Sequence, residues 1–187
     1  MGNPIASGLM CLGPSFFVSA AFILSIFANS RCNFYLLGPD NPVRDQTGRV
    51  TEANLIGLWC YQDVRGVNWD LRGYTFDERY ETARALGTSV NAIGFVLWLY
   101  YLFAGCKPFP PVAFKVVGFL GVINCMLQGL VFLLNQSMVC AGGCEMSTGA
   151  NCAISAAVLW FVGGLLSCAS GNDAPGREDD EGEGGGD

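Results

Sequence analysis

Four long blocks of apolar residues divide this chain, and they constrain its fold more than any other feature. Charged residues make up only 14% of the 187 residues, whereas about a quarter is usual for a soluble domain. Each block is long enough to cross about 30 Å of hydrocarbon as a helix, and none shows the polar face that a soluble bundle requires. The sequence therefore predicts one four-span membrane domain over 1–187, with spans at 8–28, 85–105, 112–134 and 151–169.

The connections between the spans differ in length and composition. The first is a long polar loop over 29–84, the second is a tight turn rich in proline, and the third is short and rich in glycine. After the fourth span, residues 171–187 form an acidic tail with almost nothing apolar to bury, so we expect this tail to be disordered.

The long loop contains signals of local folding. Residues 55–64 and 67–76 are rich in β-favouring side chains, and a turn at Arg65-Gly66 separates them. Asp77 can cap a helix that opens at Glu78 and continues into the second span. We therefore predict a mainly α membrane protein, a four-transmembrane-helix bundle with a small antiparallel β-sheet in the long first extracellular loop.

The cysteines outside the spans indicate which side the long loop faces. An even number of them lies in the first and third loops, which share one side of the membrane: Cys32, Cys60, Cys140 and Cys144. Such a set suits an oxidising compartment and two disulfides. Asn135 opens a glycosylation sequon on the same side. These signals put both termini in the cytoplasm, in a plasma membrane or secretory-pathway membrane.

The basic residues give the opposite indication. All arginines except Arg177 lie in the long loop, so the positive-inside rule alone would put that loop in the cytoplasm. Acidic residues in the same loop offset these arginines, as they would on a folded surface of mixed charge. We therefore give the cysteines more weight than the arginine count.

Two short motifs carry a family resemblance. Gly57-Leu58-Trp59 in the first loop resembles the Gly-Leu-Trp signature of claudins. Thr82-Ala83-Arg84-Ala85-Leu86 is similar to the Ala-Arg-Ala-Leu stretch with which claudins enter their second span. The order of loops is also similar to that of claudins, peripheral myelin protein and calcium-channel γ subunits. The resemblance implies that the tripeptide and Arg84 hold the loop domain on the bundle, and we expect Trp59 to fill the core between them.

The cysteine spacing departs from the claudin pattern, in which two cysteines follow the tryptophan within the first loop. Here Cys60 follows Trp59 directly, and the next cysteine downstream is Cys106, after the second span. The partner of Cys60 therefore stays open among Cys32, Cys140 and Cys144.

The residues that could support chemistry are few. The chain contains no histidine, which removes the commonest general base and makes zinc improbable. Within the spans we expect the polar residues Asn91, Asn124 and Gln128 to hydrogen-bond neighbouring helices. We therefore predict no enzymatic activity, no cofactor and no metal.

The function expected from these features is lateral or trans association, as in cell adhesion, a barrier or a channel-accessory subunit. The partners would be membrane lipid and other membrane proteins or a second copy, with no nucleic acid. Two alternatives remain open. A small pore would use Asp63 or Arg65, and a membrane thiol-disulfide oxidoreductase would use Cys140 or Cys144 in place of a structural disulfide.

Overall fold

The computed structural model describes residues 4–38, 43–44, 50–51, 53–104 and 110–170. Within this part of the chain four α-helices dominate: α1 Pro4–Ser30, α2 Glu78–Ala104, α3 Pro111–Leu130 and α4 Thr148–Ser170. Each of them supplies a segment long and apolar enough to cross a membrane, which fits an integral membrane protein. The predicted four-helix architecture is confirmed. The acidic tail at 171–187 lies outside the described residues.

Close packing of the helices depends on small residues at the contact of α3 with α4. A Cβ at Gly164 would lie 2.7 Å from the carbonyl oxygen of Gly118, so these backbones approach closely only without side chains. α4 also packs against α1, and α2 packs against α1 and α3. The four helices thus form a closed bundle.

The bundle has its own core, separate from that of the loops. Trp160 of α4 is fully buried, and its indole Nε1–H donates a hydrogen bond to Ser25 Oγ of α1 at 2.9 Å. Further along, Tyr101 of α2 hydrogen-bonds Ser167 of α4. Because these polar tips are paired inside the bundle, large aromatic side chains can be buried there without an unsatisfied donor.

A five-stranded antiparallel sheet lies at one end of the bundle. Its strands are β1 Tyr35–Leu37, β4 Ala53–Ile56, β5 Cys60–Asp63, β6 Asn68–Asp70 and β7 Cys144–Met146, in the order β6-β5-β4-β1-β7. A separate ladder joins β2 Val43–Arg44 to β3 Val50–Thr51. The small sheet predicted for the long loop is confirmed, and β7 adds to it a strand from the connection between α3 and α4.

The strand predicted over 55–64 was wrong in its extent. It contains the end of β4 and the whole of β5, two strands that fold back on each other with Ile56 opposite Tyr61. The reversal takes place at residues 57–59, where Gly57 N–H donates to the carbonyl of Cys60 at 2.9 Å. The second predicted strand, 67–76, is shortened to β6 because the chain turns at Leu71 towards α2.

Two predicted boundaries agree with the structure. The turn at Arg65-Gly66 is present, with Gly66 at a φ of 82°, a conformation that favours glycine. A helix begins at Glu78 and runs without a break to Ala104. The carboxylate of Asp77, however, does not cap that helix; it accepts the backbone N–H of Met138 at 3.2 Å and so joins the start of α2 to the connection before α4.

Candidate functional site

The candidate site is the loop domain, defined as residues 31–77 and 137–147, together with its attachment to the loop end of the bundle. Cys32 lies two residues after the end of α1. It forms a disulfide with Cys60 at the start of β5, with their Cα atoms 4.9 Å apart. The partner of Cys60, which the sequence left open, is therefore Cys32. This bond fixes the sheet to the end of α1.

Gly57 lies against the end of α1, where only glycine fits. A Cβ at this position would overlap the carbonyl oxygen of Arg31, and a backbone atom has little freedom to move away. The carbonyl of Gly57 accepts a hydrogen bond of 2.6 Å from the hydroxyl of Tyr80 on α2. One glycine thus allows the turn between β4 and β5 to contact two helices of the bundle.

Leu58, and not Trp59, fills the core between sheet and bundle. Leu58 is 0% exposed, and its Cδ1 occupies the space beside Gly87 of α2. Trp59 is 36% exposed, so the expectation that it fills this core was wrong. Because the turn directs Leu58 towards α2, the next side chain lies on the other side of the backbone, at the edge of the loop domain.

Arg84 of α2 is buried, and its guanidinium hydrogen-bonds to this turn. Its Nε donates to the carbonyl of Leu58 at 2.7 Å and its Nη2 to the carbonyl of Leu71 at 3.0 Å. Its Nη1 donates to the carbonyl of Tyr74 at 3.3 Å and to Glu81 Oε1 at 2.9 Å. The guanidinium therefore holds the chain both before and after the β5–β6 hairpin, as its planar fork of donors allows.

Aromatic rings enclose the same guanidinium. The Arg84 Cζ atom lies 4.7 Å from the ring centre of Tyr80, 5.3 Å from that of Trp59 and 5.4 Å from that of Phe76. Cation–π contact strengthens when water is excluded. Trp59 therefore shields the cation from one side while its outer face stays open to solvent or to a partner.

The β5–β6 hairpin extends beyond this anchor and is held in shape by one carboxylate. Asp63 Oδ1 accepts the backbone N–H groups of Arg65 and Val67, each at 2.9 Å, and Oδ2 accepts the indole N–H of Trp69 at 3.3 Å. These bonds, that of Val67 first, hold the pKa of Asp63 below its ordinary value. The turn is therefore ordered, and the ring of Trp69 is fixed relative to it.

Apolar side chains stand exposed on this hairpin. We call Val64, Val67 and Trp69, which are 70%, 47% and 51% exposed, the hairpin patch. β6 is the edge strand of the sheet, and all its residues are exposed. Large side chains grouped at the edge of an ordered element are typical of a contact surface.

The connection between α3 and α4 closes the opposite edge of the sheet. Cys140 and Cys144 form the second disulfide, with Cα atoms 5.2 Å apart, and β7 pairs with β1 beside it. Arg79 donates to the carbonyl of Gln136 at 2.8 Å. Asn135, the predicted glycosylation residue, is exposed in the 3₁₀ turns that continue α3. All four predicted disulfide cysteines are thus paired within the loop domain.

Two parts of this site were not predicted from the sequence. Tyr80 lies four residues before Arg84, on the same helix face, and this spacing next to Glu81 could have indicated a shared buried cluster. The position of Leu71, whose carbonyl accepts from Arg84 and whose side chain is fully buried, depends on where the hairpin returns, and no local signal specifies that.

Among the described residues, no group of three His, Cys, Asp or Glu side chains is placed to hold a metal ion. The arrangement instead suits a rigid surface: two disulfides, a buried arginine and an ordered hairpin. The sequence matches no protein-family model and no curated protein.

Proposed function

We propose that this chain is a non-enzymatic integral membrane protein of claudin-like architecture that acts by lateral or trans association through its loop domain. Adhesion, a barrier and a channel-accessory subunit are the forms such association takes. The observation that carries the proposal is the hairpin patch, an apolar surface on a loop domain that two disulfides brace and that Arg84 holds on the bundle.

The physical properties of the hairpin patch support association. The ring of Trp69 is already oriented by its hydrogen bond to Asp63, so less side-chain freedom is lost when a partner covers it. The charged residues Arg65, Asp70 and Arg72 lie next to the patch residues in the sequence, and all three are exposed. An apolar centre with a polar rim is the usual composition of a protein–protein interface, and tryptophan is enriched among residues that dominate binding.

The orientation of the chain in the membrane is part of the same proposal. Disulfides persist in oxidising compartments, so both Cys32–Cys60 and Cys140–Cys144 support a loop domain outside the cytoplasm. Both termini would then be cytoplasmic, in the plasma membrane or a membrane of the secretory pathway. The partner would be a second copy or another membrane protein, with lipid around the helices.

Site-specific photo-crosslinking tests this function. A benzoylphenylalanine replaces Val67 in the hairpin patch of the full chain, and a matched control replaces Met146, which is 57% exposed at the opposite edge of the sheet. We expect irradiation of intact membranes to give a covalent adduct with a membrane protein at position 67, reduced at least tenfold by Trp69→Ser. Equal adduct yields at both positions, or none at position 67, would contradict the proposal.

The pore alternative depends on Asp63 and Arg65. The carboxylate of Asp63 accepts three N–H groups of its own hairpin, which supports a role in shaping the turn more than a role in attracting ions. Arg65 remains exposed at the tip. Ion selectivity that reverses in Arg65→Glu would favour a pore.

A further inference from the structure

Four side-chain amides lie inside the bundle just beneath the loop domain, and we call them the carboxamide layer: Asn29 of α1, Asn91 of α2, and Asn124 and Gln128 of α3. Asn29 Nδ2 donates to the carbonyl of Gly87 and to Asn91 Oδ1, both at 3.2 Å. Asn124 Nδ2 donates to the carbonyl of Val90 at 3.3 Å. The layer therefore joins three helices.

The geometry of α3 places Gln128 in the same layer. It follows Asn124 by four residues and so lies on the same helix face, one turn nearer the loop domain. α2 and α3 are antiparallel, and Asn124 lies beside Val90. Gln128 therefore lies at the same height along the bundle axis as Gly87, whose carbonyl accepts a hydrogen bond from Asn29. Asn124 and Gln128 are both 0% exposed, and Asn29 is 1% exposed.

Four of the eight amide nitrogen and oxygen atoms in this layer have no partner among the described residues. Asn29 Oδ1, Asn124 Oδ1 and both amide atoms of Gln128 are buried and have no hydrogen-bond partner among the described residues. Buried polar atoms are almost always paired, with protein or with ordered water. Four such atoms together on facing helices need an explanation beyond helix packing.

The identity of the unpaired atoms indicates what would satisfy them. Because the nitrogens of Asn29 and Asn124 donate to backbone carbonyls, their oxygens are the atoms left over. With Gln128 the layer offers three acceptors and one amide donor group. A small molecule that mainly donates hydrogen bonds, and also accepts them, fits this set of atoms.

Water donates and accepts hydrogen bonds and therefore fits these atoms, whereas a bare cation fits them poorly. The described helical residues 13–30, 85–104, 116–130 and 148–170 contain no charged side chain. The guanidinium of Arg84, one turn away, is already paired with carbonyls and with Glu81. A cation in the layer would lack a carboxylate to offset its desolvation.

We propose that the carboxamide layer binds internal water molecules, and that Leu58 closes this hydrated site from the loop domain. The Cδ1 of Leu58 and the Oδ1 of Asn29 lie 2.6 Å and 3.4 Å from the point that a Cβ on Gly87 would occupy, so this leucine of the loop domain packs against the layer. The Gly-Leu-Trp turn thus acts as a lid as well as an anchor. The site is distinct from the hairpin patch and does not depend on the proposed association.

Nuclear magnetic resonance of the full chain in lipid nanodiscs tests the water site. Glutamine and tryptophan carry ¹⁵N, and Gln128→Met identifies the side-chain signal of Gln128. We expect Overhauser cross-peaks from long-lived water to the Gln128 amide. The indole N–H of Trp160, buried in the same bundle but bonded to Ser25, serves as the dry control. No water cross-peak at Gln128, or an equal one at Trp160, would overturn the proposal.

Two further comparisons separate water from a cation and test the lid. Exchange of sodium chloride for choline chloride should leave the Gln128 signal unchanged, and a shift that requires sodium would assign the layer to a cation instead. Leu58→Ala should accelerate deuterium exchange at the Gln128 amide at least tenfold, whereas Leu97→Ala, at a buried leucine of the bundle core, should not. Equal rates in the two variants would exclude Leu58 as the lid.

Discussion

At the scale of single residues, the side chain of Arg84 attaches the loop domain to α2 through several hydrogen bonds. Lysine would keep the charge at this position but has no planar fork to reach Leu58, Leu71 and Tyr74 together. We expect Arg84→Lys to lower the free energy of unfolding by about 2–3 kcal/mol, because buried carbonyls lose charged donors. Thermal unfolding of the variant in lipid nanodiscs measures this loss of stability. Arg72→Lys is the control, since Arg72 is 78% exposed in an ion pair with Asp70, and an equal loss there would contradict this reading.

The ionisation of Asp63 makes the stability of the β5–β6 hairpin depend on pH. The pKa of its carboxyl group is held below the ordinary value of 3.8, chiefly by the N–H of Val67 and then by Trp69 and Arg65. A depressed pKa in the folded state stabilises the hairpin above pH 3.8, and this contribution is lost as the pH falls through the folded value. We expect the protection of the Val67 amide, which is its exchange rate relative to the intrinsic rate at the same pH, to fall in that acid range.

The variant Asp63→Asn tests the assignment of this transition. It should remove the acid transition at Val67 and lower the protection of this amide at pH values above that transition, because the neutral amide oxygen of asparagine accepts the turn N–H groups more weakly than a carboxylate does. Asp70→Asn is the matched control, since among the described backbone N–H groups Asp70 accepts only that of Arg72. If the transition disappears in Asp70→Asn and stays in Asp63→Asn, the assignment is wrong.

At the scale of elements, the contact between the end of α1 and the β4–β5 turn depends on a missing side chain. Gly57→Ala would force a Cβ into the carbonyl of Arg31, and the turn could then leave α1 only by separating Cys60 from Cys32. We expect the fraction of chains with this disulfide to fall severalfold, as measured by thiol counting on denatured protein. Gly73→Ala is the control, because a Cβ there meets nothing within 4 Å.

The elements also show how far the sequence could predict this structure. The apolar blocks and the helix opening at Glu78 were predictable because the period and length of a spanning helix are local properties. The reversal at Gly57 was not, since the same β-favouring run can form one strand or two. Which of Leu58 and Trp59 is buried depends on the distant Gly87 and Arg84. The hairpin patch depends similarly on β6 being the edge strand, which only the strand order specifies.

At the scale of the whole molecule, the sheet links parts of the chain that are remote in sequence. β1 pairs with β4 on one side and with β7 on the other, so both connections that leave the loop end of the bundle form one domain. The two disulfides lie at different places in this domain, Cys32–Cys60 next to the end of α1 and Cys140–Cys144 within the connection before α4. The domain and its four paired cysteines therefore lie together at one end of the bundle, and so on one side of a membrane that the four helices cross.

That shared side makes orientation testable in one experiment. A membrane-impermeant thiol reagent is applied to intact cells with and without a reductant. We expect Cys32, Cys60, Cys140 and Cys144 to react only after reduction and without permeabilisation, since disulfides form in oxidising compartments. Cys106, which the sequence places in the opposite connection, should react only after permeabilisation. Labelling of the four loop cysteines that required permeabilisation would instead favour the arginine count and a cytoplasmic loop domain, and the association proposed for its outer face would then lose its basis.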